Sequence, residues 1–351
     1  MLRDIFLTGL TKNISLIDLD PRIDSGFFMA KKDNKEAING DFKGKDILSL
    51  DQFSPLDISI LFKHTKRMRT IGVNAKPSDL LKGNIVTLIF YEPSSRTFGS
   101  FGAAVKQLGG QTIEVHDVSA TSVAKGESLE DTIHVFEAYC DAIVIRHPIK
   151  GSIQKAADAA FFVPVINAGD GAGSHPTQAL LDLYTIYEKF HRLDSITALL
   201  CGDVLHSRTH HSLIEGLSIY PNNTIYLLSP KKLKLSREDF AKYSKNNIKL
   251  IEIHDEKDIP ENADVWYWNR IQRERFENPK EAEKYKDKFI LTQQLLQERG
   301  SENLIILDPL PRVGEIDLNV DADPRAGYLR TQIRNGMYVR MALLSLVLDK
   351  A

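Results

Sequence analysis

From residue 43 onward the chain alternates short apolar runs with longer amphipathic stretches. The runs are NIVTLIFY (84–91), DAIVIRH (141–147), VPVIN (163–167), ITALLCGD (196–203), TIYLLSP (224–230), DVWYW (264–268) and NLIILDPL (303–310). Most are rich in Val, Ile and Leu and do not alternate strictly with polar residues, as strands covered on both faces do not. Such strands separated by helical patterns build parallel sheets, so the fold class is α/β. Helical stretches include SPLDISILFKHTKRMRTIG (54–72), SFGAAVKQLGG (100–110) and TQALLDLYTIYEKF (177–190). The last lies midway and is expected to join two α/β halves. RNGMYVRMALLSLVLDK (334–350) reads as an amphipathic helix with no strand after it. Residues 1–42 are poorly periodic and run into the polar stretch KKDNKEAINGDFKGK (31–45), so they are expected to be an extension with no assigned role.

The balance of 45 basic and 47 acidic residues gives a net charge of −2, which argues against general binding of nucleic acid or a membrane surface. An anionic ligand would therefore need a local cluster of basic groups. No stretch approaches the ~20 apolar residues of a membrane span. The start MLRDIFLTGL lacks the long apolar region of a signal peptide and is expected to belong to the mature chain. The two cysteines, Cys140 and Cys201, sit in apolar runs and read as buried thiols, neither a disulfide framework nor a zinc site. A cytoplasmic enzyme is the expectation.

The stretch YEPSSRTFGSF (91–101) ends an apolar strand with a carboxylate, a proline, hydroxyls and a guanidinium, and starts a helix on them. A helix N-terminus offers unpaired N–H groups and the positive end of a dipole. Ser94, Ser95 and Thr97 add hydroxyls, and Arg96 adds a planar cation suited to phosphate. Ser and Thr also cap many helices that bind nothing. The arginine among them shifts the reading toward an anion.

Four more strands end in polar or proline-rich loops. RHP (146–148) carries Arg146, and SRTHHSL (207–213) carries Arg208. NRIQRERF (269–276) carries Arg270 and Gln272, and DPLPRVGEI (308–316) follows the last run. NAGDGAGSHPTQALLDLYTI (167–186) places His175 and Gln178 at a helix start. In open α/β sheets ligands bind at the carboxyl ends of strands. One such arginine is usually a solvated loop residue, whereas several converging would hold a polyanionic complex.

EPSSRT, SVAKGESLEDT (122–132), RHP, the 167–186 segment, RIQRERF, DPLPRVGEI and NGMYVRMALL together resemble the aspartate carbamoyltransferase catalytic chains of the aspartate/ornithine carbamoyltransferase family, in the family's order, over roughly residues 43–351. The resemblance implies two domains, each a parallel sheet flanked by helices, with the C-terminal helix packing back on the first. Residues 43–176 with 331–351 would bind carbamoyl phosphate, 177–190 would connect, and 191–330 would bind aspartate.

It also implies roles. Ser94, Ser95, Arg96, Thr97, Arg146, His175 and Gln178 would hold carbamoyl phosphate. Thr97, Arg146 and His175 would stabilise the oxyanion as the aspartate amine attacks. Arg208, Arg270 and Gln272 would bind aspartate's carboxylates, and the main-chain carbonyls of Leu310 and Pro311 the carbamoyl NH2. Ser122 and Lys125, which alone would read as a mobile surface loop, would reach carbamoyl phosphate, and Lys125 aspartate as well, in a neighbouring subunit of a homotrimer. Glu92 is expected either to pair with Arg208 and Arg275 or to be a strand-end carboxylate satisfied by any neighbouring base. No metal or organic cofactor is implied. Regulatory chains or pathway enzymes are conceivable partners.

The chain departs from the family pattern in places. Asp308 stands where the family usually has histidine, and Phe98 where polar or basic residues are common. Leu205 replaces a frequent lysine, and WNR (268–270) a more usual Met-Thr-Arg. Asp before Pro commonly accepts local N–H bonds, so Asp308 is expected to turn toward the backbone or Arg312 rather than into the site. An ornithine carbamoyltransferase is the alternative enzyme. That family carries Cys-Leu-Pro where this chain reads Asp308-Pro309-Leu310-Pro311, and paired arginines suit a cationic acceptor poorly. A silent scaffold would have lost site Arg, His or Lys, and a nucleotide-binding domain would show a glycine-rich phosphate loop, which is missing here.

Overall fold

A computed structural model describes residues 36–351 except 74–77, 117–121, 274–275, 277, 279–280, 282 and 286–287. Arg275 lies outside the described residues.

Two parallel sheets carry the chain. The first holds β1 (Ile85–Phe90), β2 (Gln111–Val115), β3 (Ala142–His147) and β4 (Val165–Asp170) in the order β2-β1-β3-β4. The second holds β5 (Thr197–Cys201), β6 (Asn223–Leu228), β7 (Ile248–Ile253), β8 (Val265–Trp268) and β9 (Ile305–Leu307) in the order β7-β6-β5-β8-β9. Every pairing between these strands is parallel. The seven apolar runs become β1, β3, β4, β5, β6, β8 and β9. The central strands are almost wholly buried, as parallel strands covered by helices must be.

The helices include α1 (Pro55–Val73), α2 (Ser95–Gln107), α3 (Leu129–Glu137), α4 (Ser152–Ala159), α5 (Pro176–Phe190), α6 (Arg208–Ser218), α7 (Arg237–Tyr243), α8 (Gln293–Arg299) and α9 (Ile333–Val347). Helix α5 follows the last strand of the first sheet, precedes the first strand of the second, and is buried over most of its length. Helix α9 returns to pack against α1, α2 and α5, and buries Tyr338, Val339, Met341, Leu343 and Leu344. Ile38 and Phe42, at the end of the stretch read as an extension, are buried, and Phe42 packs edge-on against Phe53. Cys140 and Cys201 are free and buried. Among the described residues no helix is long and apolar enough to cross a membrane.

Each sheet has one place where strand order reverses. In the first it falls between β1 and β3, in the second between β5 and β8. At such a point adjacent loops diverge at the carboxyl ends of the strands and leave a crevice for ligand. The carboxyl ends of β1, β3, β5 and β8 and the segments that leave them carry Ser94–Thr97, Arg146, Arg208, and Arg270 with Gln272. The topology therefore selects the polar loops that stand out in the sequence.

Candidate active site

The two crevices open onto one cavity of about 620 Å³. Ser94, Ser95, Arg96, Thr97, Arg146, His175, Gln178, Arg208, Arg270, Gln272, Leu310 and Pro311 all line it. Lys125 does not. It is exposed at the end of a short 3-10 turn, Ser122–Lys125. The side chain of Ser122 lies outside what the structure describes.

Helix α2 begins at the cavity wall. Ser94 is its N-cap residue, yet its side chain makes no capping hydrogen bond. Elsewhere Ser128, Ser207, Ser236 and Thr292 cap helix starts by accepting from the backbone N–H three residues on. The first turn of α2 also contains no acidic residue. Its N–H groups, its dipole and the hydroxyl of Ser94 thus remain available to an anion, with Arg96 beside them and Thr97 buried behind. Plain N-capping does not account for the serine.

Arg146 ends β3 almost fully buried. Its Nη2 lies 2.8 Å from Glu92 Oε2, and its Nη1 donates to the Ala168 carbonyl at 3.3 Å. Gly169 permits this placement. At φ +134° it adopts a backbone that side-chain-bearing residues rarely do, and a Cβ there would meet Arg146 Nη1 at 2.8 Å. Arg208, the first residue of α6, donates to the Gly171 carbonyl at 2.7 Å and to Glu92 Oε2 at 3.4 Å. Glu92 therefore links Arg146 and Arg208, which extends the expectation that it would pair with Arg208.

His175 is the N-cap residue of α5, and its ring is buried. Burial first, and then the cations Arg208, Arg146 and Arg340, hold its imidazole well below the usual histidine range. The ring is neutral at physiological pH, and its Nδ1 has no partner within the protein. Its backbone N–H donates to Ser212 Oγ at 3.0 Å, fixing the turn.

Behind Gln178 lies a network that the sequence did not announce. Asp182 Oδ1 accepts from Gln178 Nε2 at 3.0 Å and from Gln332 Nε2 at 2.7 Å. Its Oδ2 accepts from Tyr267 OH at 2.9 Å. Burial raises the Asp182 carboxyl to about 7, against the pull of these donors. With its NH2 committed to Asp182, Gln178 has its carbonyl oxygen to offer the cavity. Arg340 is a second unannounced residue. It lines the cavity from α9, donates to Ser100 Oγ at 2.9 Å and lies over the Phe101 ring, and burial lowers its guanidinium to about 10. Its signal is one cation inside the apolar run YVRMALL.

On the second sheet's side, Asn269 Nδ2 donates to Ser207 Oγ at 2.5 Å and to Thr209 Oγ1 at 3.1 Å, which ties the exit of β8 to the start of α6. Gly202, at φ +112°, lets β5 pass under that segment, because a Cβ there would meet the Asn269 carbonyl at 1.9 Å. The Gln272 backbone N–H donates to Asp203 Oδ2 at 3.2 Å. Arg270 and Gln272 so line the same cavity as Ser94–Thr97. Asp308 makes the expected backbone bond, its Oδ1 accepting from the Leu310 N–H at 2.5 Å, but it also lines the cavity, so the turn does not take it out of the site. Arg312 is taken by Asp321, with Nη2 to Oδ2 at 3.0 Å.

This arrangement can hold a phosphate-like anion at α2 and a dicarboxylate at Arg208 and Arg270, with the reacting atoms between. Among the described residues no group of three or more His, Cys, Asp or Glu is placed to hold a metal ion.

Two family models match in tandem. The aspartate/ornithine carbamoyltransferase carbamoyl-P binding domain covers residues 45–188, and the Asp/Orn binding domain covers 194–347. The aspartate carbamoyltransferase catalytic subunit of Methanocaldococcus jannaschii is 41% identical over 87% of this chain and 98% of its own length. The multifunctional protein pyr1-3 of Dictyostelium discoideum is 45% identical over 87% of this chain, which spans only 13% of that much longer protein. A solved aspartate transcarbamoylase from Trypanosoma cruzi, in complex with carbamoyl phosphate and aspartate, superposes with a TM-score of 0.81 at 37% identity, over 88% of this chain and 98% of that one.

Proposed function

The chain belongs to the aspartate/ornithine carbamoyltransferase family, and from that premise we propose that it transfers the carbamoyl group of carbamoyl phosphate to the amino group of L-aspartate, giving N-carbamoyl-L-aspartate and phosphate in pyrimidine synthesis. The observation that carries this reading is the two-sided anion cavity. The uncapped start of α2 with Arg96 lines the same cavity of about 620 Å³ as Arg208 and Arg270.

The residues suggest how the step runs. Ser94, Ser95, Arg96 and the N–H groups of α2 grip the phosphate. Arg208, Arg270 and Gln272 hold the two carboxylates, for which planar guanidinium groups are suited. The aspartate amine attacks the carbonyl carbon, and a C–N bond forms as charge grows on the carbonyl oxygen. Thr97, Arg146 and the neutral ring of His175 donate to that oxygen, the usual electrostatic contribution. A neutral imidazole can do this without losing its proton. The carbonyl groups of Leu310 and Pro311 and the side-chain oxygen of Gln178 accept from the carbamoyl NH2. The C–O bond to phosphate then breaks, and the departing phosphate takes the amine's proton. No covalent enzyme intermediate is needed, so positioning supplies most of the rate.

In this reading residues 43–176 with 331–351 form the carbamoyl phosphate domain, 177–190 the connection and 191–330 the aspartate domain. The working unit is a homotrimer in the cytoplasm, in which Ser122 and Lys125 complete a neighbour's site. The exposure of Lys125 outside its own chain's cavity supports this. The decisive test follows phosphate release and carbamoyl-aspartate formation by the purified protein with aspartate or ornithine as acceptor. Turnover with aspartate alone is expected, and turnover with ornithine alone would overturn the proposal.

A further inference from the structure

We propose that Asp308 and Glu315 hold one proton between them and so present a single shared negative charge to the amino-acid half of the cavity. This rests on the reading of that cavity as the site of a dicarboxylate acceptor.

The two carboxyls sit on one loop after β9 and are almost fully buried. Each spends one oxygen on the loop's own backbone. Asp308 Oδ1 accepts from the Leu310 N–H at 2.5 Å, and Glu315 Oε2 accepts from the Val313 N–H at 2.6 Å. The remaining oxygens, Asp308 Oδ2 and Glu315 Oε1, are buried and have no partner in the protein. Yet the two side chains lie within hydrogen-bonding reach of each other. An ionised carboxylate can only accept, so two of them cannot satisfy one another. A single proton between them satisfies both oxygens and removes one buried charge.

The surroundings favour one charge rather than none or two. The charge of Arg96 from α2 acts on Asp308, and that of Arg270 from the segment after β8 acts on Glu315. Arg312 is close but committed to Asp321. The hydroxyls of Tyr267 and Tyr328 are nearby and donate elsewhere, to Asp182 and Asp321. The Asp308 backbone N–H is held by Gln332 Oε1 at 3.0 Å, so the loop cannot easily swing the carboxyl away. Burial, then the Glu315 charge, pushes the Asp308 carboxyl well above the usual carboxylate range, and burial raises Glu315 too.

The consequence is a positioning role with a pH signature. While the proton is shared, the wall behind Arg270 carries one negative charge and a dianionic acceptor can enter. Loss of the proton in alkali adds a second charge and opposes that acceptor. D308N and E315Q each leave one carboxylate beside an amide donor, so no second charge can appear in alkali.

The first experiment takes infrared spectra of the substrate-free protein at about pH 8, where ordinary carboxyls are ionised. Beside any band from Asp182, which all three proteins keep, a protonated carboxyl stretch that shifts in heavy water is expected in the wild type and should vanish in both D308N and E315Q. Its absence from the wild type overturns the proposal. The second compares aspartate KM at high and neutral pH. The alkaline rise should be about threefold or more steeper in the wild type than in D308N, beyond what titration of aspartate's own amine contributes to both. Equal profiles would overturn the charge role, and E315Q supplies the same comparison if D308N folds poorly. If aspartate proves not to be a substrate, the proposed reaction fails, whereas the infrared band, read without substrate, still decides the shared proton.

Discussion

Glu92, on the loop after β1, lies 3.4 Å from Arg208, at the first turn of α6, so a carboxylate of the first sheet meets an arginine of the second. The same Oε2 is 2.8 Å from Arg146 Nη2. One carboxylate therefore sets the spacing of two cations that the proposed reaction assigns to different substrates. It also offsets their mutual repulsion while the cavity is unliganded.

Removing that carboxylate should loosen both arginines without deleting either. In Glu92→Gln, kcat/KM for aspartate is expected to fall by about 10- to 100-fold, because partly buried guanidinium groups lose a charged partner and their fixed geometry. Steady-state kinetics at saturating carbamoyl phosphate reads the loss. A variant within twofold of wild type would mean that Glu92 is only a strand-end carboxylate.

The two halves of the cavity should separate kinetically. Arg270→Lys keeps the charge but discards the planar fork, so aspartate KM should rise by about tenfold or more with little change for carbamoyl phosphate. Arg96→Lys should do the reverse. Initial rates with each substrate varied in turn distinguish the outcomes, and an equal rise for both substrates in either variant would contradict the assignment.

The parts of this design that were legible in the sequence are those where burial is complete. Seven strands announce themselves because both faces are covered. β2 (QTIEV) and β7 (IKLIEI) do not, because each is an outer strand that, unlike the outer strands β4 and β9, is partly exposed, so polar residues interrupt the apolar signal. The site loops were legible for a related reason: cations and hydroxyls directly after a buried strand have little structural purpose of their own. Asp182, Tyr267, Gln332 and Arg340 were not legible, because single polar residues in apolar elements look alike until the fold shows whether they face one another. The Asp308–Glu315 pair falls between these cases. Asp308 is conspicuous as a departure from the family's histidine, but its neighbour seven residues on is visible only when the loop closes.

His210 gives a stability prediction with a definite sign. Its ring is buried against Tyr267, and burial lowers its pKa to about 3 against the pull of the Asp203 and Tyr267 backbone. The unfolded chain takes up the proton near the ordinary histidine value of about 6.5, whereas the folded chain stays neutral until near 3. The unfolded state thus binds more protons in that window. The contribution is fully present above about pH 6.5 and declines as pH falls toward 3, with a limiting slope of roughly 1.4 kcal/mol per pH unit. His210→Phe should keep the aromatic contact and remove this slope. Denaturant unfolding of both proteins at several pH values between 4 and 7 measures it, and parallel curves would refute the assignment.

The final prediction tests whether sites are shared between chains. Lys125 is exposed and outside the cavity of its own chain, whereas Arg96 lines it. If Lys125 serves a neighbour's cavity, Lys125→Ala and Arg96→Ala should each nearly abolish turnover, for different reasons. Each trimer of Lys125→Ala has intact Arg96 at every cavity but lacks the visiting lysine. Each trimer of Arg96→Ala has every lysine but no phosphate grip. In a mixed trimer some cavities pair an intact Arg96 from one chain with an intact Lys125 from the next. Unfolding the two inactive proteins together and refolding them, with exchange verified by a mass or charge tag on one parent, should therefore restore activity. Random assortment of equal amounts makes about a quarter of the interfaces complete, which sets the ceiling on recovery when cavities act independently. Recovery toward that ceiling requires the lysine to act across an interface. A verified mixture as inactive as its parents would confine Lys125 to its own chain, and the turn that carries it would then have to fold back on its own cavity to reach the substrate.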